Sequence, residues 1–191
     1  MGLRCFIAIE LPEELKRNIY VHVERLKASG ADVKWVPLEN LHLTLKFLGD
    51  TPEEQLNNIN EKLVFLAKAH ARFYLQVAQA GVFPNLKHPR VIWIGMRDSE
   101  EVIRLQQDID EAMAELGFER DDKQFTPHLT IGRVKSLKNQ DALTQELATL
   151  KTVDFGKIEV NNITLMKSIL KPSGAEHLKL REISLGWLDE S

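Results

Sequence analysis

Hydrophobic positions along the chain follow two periods, and each switch between them marks a new element. The apolar run Cys5-Phe6-Ile7-Ala8-Ile9 predicts a first strand over roughly residues 3–10. Pro12-Glu13-Glu14 then opens a stretch in which Leu15, Ile19, Val23 and Leu26 recur at helical spacing as far as Gly30, predicting an amphipathic helix. From Leu41 the period becomes two: Leu41, Leu43, Leu45 and Phe47 alternate with His42, Thr44 and Lys46 up to Gly49, the pattern of a half-buried strand. Thr51-Pro52-Glu53-Glu54 has the form of a capping box ahead of a helix with Leu56, Ile59, Leu63 and Leu66 on one face. A strand over about 73–82 follows.

Turn formers between Phe83 and Pro89 lead into a further strand, Val91-Ile92-Trp93-Ile94. This loop, near residues 83–90, is where the sequence predicts the division of one domain spanning 1–191 into two lobes. Ser99 suits the cap of a helix carrying Val102, Leu105, Ile109, Met113 and Leu116, with Gly117 just past its end. A strand over Phe125–Val134, a helix near 139–150 and strands near 155–170 and 178–187 complete the expected α+β chain. Both halves alternate strands and helices around a similar central strand.

Composition narrows the class without choosing a function. With 43% hydrophobic and 28% charged residues, the 191-residue chain reads as an ordinary folded domain, not a disordered, collagen-like or membrane-spanning one. Its 25 Lys and Arg against 28 Asp and Glu argue against an extended nucleic-acid surface but leave room for a local basic pocket. Cys5 is the one cysteine, so neither an intramolecular disulfide nor a Cys-based zinc cluster is available, and a reducing compartment fits. The apolar start is broken by Glu10 and Pro12, too short for a secretory core, so a cytoplasmic protein is expected.

The chemistry lies in a repeat. His42-Leu43-Thr44-Leu45 returns as His128-Leu129-Thr130-Ile131, each copy inside an expected strand. Residues two apart on a strand share a face, so each His points with its Thr while Leu43, Leu45, Leu129 and Ile131 anchor the strands in the core. A pseudo-twofold relation between the halves would bring two imidazoles and two hydroxyls into one cleft. Such a set suits in-line displacement at a phosphodiester: one neutral imidazole accepts a proton, the other delivers one to the leaving oxygen, and the hydroxyls hold the non-bridging oxygens. No metal is needed, and no carboxylate motif at ligand spacing accompanies the two histidines.

These paired motifs, in the contexts His42-Leu-Thr-Leu-Lys-Phe-Leu-Gly49 and Phe125-Thr-Pro-His-Leu-Thr-Ile-Gly-Arg133, resemble the 2H phosphoesterase superfamily. Within it the chain is most similar to the RNA 2′,3′-cyclic phosphodiesterases, formerly called 2′-5′ RNA ligases; Arg4-Cys-Phe-Ile-Ala-Ile-Glu10 and the length match as well. The resemblance implies antiparallel sheets flanked by helices around a cleft, no cofactor, and hydrolysis of a 2′,3′-cyclic phosphate to a 2′-phosphomonoester. It assigns the proton donor to His42 and the acceptor to His128; the physics of the residues alone does not orient the pair. The implied partners are RNA 3′ ends or nucleotides bearing the cyclic phosphate; no membrane partner is expected, and a monomer is the default. Two other readings stay open: the reverse joining reaction, and a module that binds nucleotides or RNA ends without turning them over.

Arg133 matches a basic residue that often follows the second motif, but strict alternation places it opposite His128 unless a bulge or the strand end intervenes. Lys46 is in phase with His42 and reads as a solvated strand-end lysine. His22, His70, His88 and His177 have no companion Thr and read as structural or surface residues. Trp35, Phe47, Trp93 and Phe125 lie near the motif strands, where one of them could stack on a terminal base. The acidic pairs at Glu13, Glu53 and Glu100 read as helix N-terminal charge.

Overall fold

The computed structural model describes residues 2–186. Its elements run β1 (Leu3–Glu10), α1 (Glu13–Lys27), β2 (Val33–Trp35), β3 (His42–Thr51), α2 (Leu56–Ala67), β4 (Phe73–Phe83), β5 (Val91–Arg97), α3 (Glu100–Glu115), β6 (His128–Val134), α4 (Gln140–Thr149), β7 (Asp154–Val160), β8 (Asn162–Lys171) and β9 (Gly174–Ser184). One sheet has the order β3-β1-β8-β9 and the other β2-β6-β5-β4-β7. Every pairing is antiparallel. This is the expected α+β architecture, and setting aside the short β2, the two orders correspond strand for strand: β3 with β6, β1 with β5, β8 with β4, β9 with β7.

The main core is continuous across both sheets: Ile7, Ile9, Leu43 and Leu45 of one join Ile92, Ile94, Leu129 and Ile131 of the other, with the buried faces of all four helices. Helix α1 buries Leu15, Ile19, Val23 and Leu26, the residues its spacing selects, and packs against β7 of the five-stranded sheet. Helix α2 packs against β9 of the four-stranded sheet. β1 is buried on both sides, since Phe6 and Ala8 form a second small cluster with Met166 on the face away from the main core. That explains its unbroken apolar run.

The 83–90 loop does not divide the lobes. It is a hairpin connection inside the five-stranded sheet, with Phe83 paired to Val91, and each sheet takes strands from both sides of it. The turn residues are genuine, but the chain crosses between sheets elsewhere. Nor does Thr51 cap α2: it ends β3, fully buried, and its Oγ1 donates to the Gly49 carbonyl at 3.1 Å. A 3₁₀ turn, Glu53–Gln55, starts the helical segment instead, behind Pro52 and without a side-chain cap. The strand expected over Phe125–Val134 begins only at His128, after Pro127. Residue 187, the expected end of the last strand, lies outside the described residues. Among the described residues no helix is long and apolar enough to cross a membrane.

Candidate active site

The motif strands β3 and β6 lie in contact without pairing with each other. Leu43, Leu45, Leu129 and Ile131 all belong to the same core, so His42, Thr44, His128 and Thr130 lie on the opposite faces of their strands, each half-buried. The alternation that places them stops one residue later, and in both strands for the same reason. Ala8 pairs with Thr44 and Ile7 with Lys46, leaving Leu45 as an extra residue; Trp93 pairs with Thr130 and Ile92 with Gly132, leaving Ile131 as another. These bulges reverse the phase beyond the motifs.

The bulge at Ile131 brings Arg133 onto the face of Thr130. Arg133 is exposed beside its cross-strand neighbour Lys34. The bulge at Leu45 has the opposite effect on Lys46, which is 2% exposed and not solvated. Its Nζ donates to Asp110 at 2.5 Å, to the Glu119 carbonyl at 2.6 Å and to Asp121 at 3.0 Å. Burial pushes this ammonium's pKa down, yet its hydrogen bonds to the two aspartates outweigh that and hold it above the ordinary lysine value. In its place Phe47 reaches the His42 face, 71% exposed and 6.2 Å from the Phe6 ring.

Each histidine is held by the backbone two residues before it. His128 Nδ1 donates to the Thr126 carbonyl at 2.7 Å, which leaves the Nε2 lone pair free as a proton acceptor, while the Phe83 ring stands edge-on at 5.3 Å. His42 stacks on Phe6 with centroids 4.9 Å apart. Burial is the main reason its pKa is pushed down to about 4; the charge on His177 adds to this, a hydrogen bond to the Asn40 backbone opposes it, and Lys16 presses it further down. In the free protein burial therefore holds His42 neutral at physiological pH. An anion beside the ring favours the imidazolium, so inorganic phosphate should raise the His42 midpoint, read by NMR of the ring carbons; a midpoint unmoved at saturating phosphate would contradict an anion site here.

His177 has no motif to betray it, yet it packs at 5.2 Å from His42. The β8–β9 hairpin sets it opposite Ser168, and the long-range pairing of β8 with β1, which in turn pairs with β3, carries it there. The other histidines lie elsewhere: His70 pairs with Asp108 at 2.7 Å and His22 packs on Phe155. Of the four candidate aromatics, Trp35 and Phe125 pack against the main core, and Trp93 lies over Gly81, where a Cβ would sit 2.4 Å from the indole. Only Phe47 of this set is largely open to solvent.

A model of the 2′-5′ RNA ligase superfamily matches residues 13–170. The RNA 2′,3′-cyclic phosphodiesterase of Methanothermobacter thermautotrophicus is 37% identical over 174 residues, covering 91% of this chain and 94% of that relative. The protein of the same name from Methanocaldococcus jannaschii is 38% identical over 180 residues, covering 94% and 99%. Among solved structures, TT0787 of Thermus thermophilus superposes with a TM-score of 0.79 at 31% identity over 96% of this chain and 98% of that one. E. coli LigT complexed with 3′-AMP superposes at 0.76 with 25% identity, over 98% and 100%. The chain belongs to the 2′-5′ RNA ligase superfamily, among the 2H phosphoesterases.

Proposed function

We propose that this protein is an RNA 2′,3′-cyclic phosphodiesterase that works by paired-histidine acid–base catalysis. The observation that supports the reading is the like placement of the two His–Thr pairs on two strands in contact, each pair on the face of its strand away from a shared core. His128 Nε2 takes a proton from water as the water oxygen bonds to phosphorus, and His42, protonated from solvent once the phosphate anion is bound beside its ring, delivers that proton to O3′ as the P–O3′ bond breaks. The product is the 2′-phosphomonoester, and proton exchange with solvent resets both rings. Thr44 and Thr130 donate hydrogen bonds to the non-bridging oxygens, and Arg133, brought round by the bulge, adds charge on the side of His128.

Acid–base chemistry of this kind calls on no cofactor. One chain supplies both histidines and both threonines, so a single copy carries the full set; we take the protein as a monomer of the cytoplasm. Its substrate class is RNA 3′ ends or nucleotides with a cyclic phosphate, the activity that gives its relatives their name. An oligoribonucleotide ending in a 2′,3′-cyclic phosphate, incubated with a second strand bearing a 5′-hydroxyl, tests the direction. The expected product is the 2′-phosphate end; a joined 2′-5′ strand as main product would favour ligation, and retention without turnover a binding module.

Phe47 is the base platform in this scheme, because it presents an open ring on the His42 face. Stacking of one base on an aromatic is worth about 1–3 kcal/mol. Phe47→Ala should therefore raise KM roughly tenfold, with kcat less affected. Steady-state kinetics on a nucleoside 2′,3′-cyclic phosphate measures this, and an unchanged KM would remove Phe47 from the site.

A further inference from the structure

We propose that His177 is a positioning residue for His42: its ring closes a box with Phe6 that fixes the plane of the His42 imidazole and joins the two imidazoles into one proton-holding pair. The three rings are mutually in contact. Phe6 stacks on His42 at 4.9 Å, while His177 stands edge-on to both, 5.0 Å from Phe6 and 5.2 Å from His42. Each ring comes from a different strand of the four-stranded sheet, β1, β3 and β9, so the box is built by tertiary pairing and not by a local motif.

Packing alone does not account for an imidazole here. His177 Nδ1 is buried without a hydrogen-bond partner, and a carbon ring would fill the same space without that cost. The same orphan nitrogen limits how the ring can be charged. An imidazolium carries N–H groups on both nitrogens, and the buried one would have no acceptor, so His177 rests neutral with its proton on Nε2. Burial presses its pKa down accordingly. With two imidazoles edge to face, a proton on one opposes a proton on the other, and the pair titrates in steps that belong to both rings.

Other charges around His42 are fixed independently of His177. Glu10 is the cross-strand neighbour of His42, and Lys179 holds Glu10 at 2.8 Å and Glu182 at 2.6 Å. Lys16 on α1 is paired with Glu13 at 3.1 Å. Replacing His177 leaves these groups in place, so a change in His42 behaviour reports on the ring itself.

The kinetic part of the inference rests on the phosphodiesterase reading, and the titration part does not. Ring NMR of the free protein should show coupled titration of His42 and His177 in the wild type. In His177→Phe, which keeps an aromatic wall but carries no charge, His42 should titrate in one step with its midpoint moved up from about 4. His177→Ala opens the box and should lower kcat by about 10²-fold with KM nearly unchanged, as expected for a mispositioned acid. His177→Phe should restore most of kcat while shifting the limb of the kcat/KM profile that reports His42 in the direction of the NMR midpoint. A His42 midpoint that is the same in the wild type and His177→Phe would overturn the pairing. Wild-type turnover by His177→Ala would overturn the positioning role. Should the wild type leave cyclic phosphates untouched, that result counts against the functional reading, and the NMR comparison alone decides the pair.

Discussion

His42→Ala and His128→Ala should each lower turnover of a 2′,3′-cyclic phosphate by about 10²–10⁴-fold, the usual contribution of one positioned proton transfer. Both residues emerge on the side of their strands away from the main core, while Leu43, Leu45, Leu129 and Ile131 keep the strands anchored there. Circular dichroism and melting temperature should stay close to the wild type, which separates lost chemistry from lost fold. The effects should not add, because the two rings serve one displacement and removing either already leaves its partner idle. The double variant should retain about the activity of the weaker single one. Near wild-type kcat in either single variant would remove that histidine from the mechanism.

Lys46→Met should be the most destabilising single change near the site, by roughly 3 kcal/mol. The substitution keeps the volume and removes the ammonium from beneath Asp110, Asp121 and the Glu119 carbonyl. Asp110 has a side chain only 14% exposed, so its carboxylate loses its cation away from water. Asp121, at 43%, is partly solvated, which keeps the cost near the lower end of the range for broken buried pairs. A second consequence reaches the chemistry. Asp121 also accepts a hydrogen bond from Gln106 at 3.0 Å and donates its backbone N–H to Asp110 at 3.1 Å, so the cluster ties β3 and α3 to the segment that runs into His128. Urea denaturation should show a lower midpoint at unchanged slope. A loss below about 1 kcal/mol would mean that the cluster is worth no more than a surface pair.

Lys46 also shows where sequence reasoning stops. Period two is readable as far as Leu45 and Ile131, and it separates the half-buried His and Thr of each motif from the buried Leu43, Leu45, Leu129 and Ile131. What it does not show is the unpaired residue at the end of each motif, Leu45 in β3 and Ile131 in β6. A bulge is a property of the register between strands, and a slip of one residue exchanges the two faces. That single feature buries Lys46, exposes Phe47 and turns Arg133 towards the motif side. The 83–90 loop misleads differently: its Pro and Asn residues signal a turn, but turn chemistry does not tell a hairpin from a domain boundary. Thr51 has the letters of a capping box, yet strand pairing with Leu3 claims it first. His177 is out of reach because nothing near it in the chain refers to His42; the contact exists only once the β8–β9 hairpin has paired with β1, and β1 with β3. The helices, whose burial needs only their own spacing and a core to face, are legible almost in full.

The central claim is that two histidines on adjoining strands hydrolyse a cyclic phosphodiester. ³¹P NMR of a nucleoside 2′,3′-cyclic phosphate with the purified protein in EDTA, beside the His42→Ala/His128→Ala double variant, tests it most directly. The wild type should convert it to the 2′-phosphate, and the cyclic signal should persist with the variant. Equal conversion by both proteins, or release of the 3′-phosphate in place of the 2′-phosphate, would contradict it.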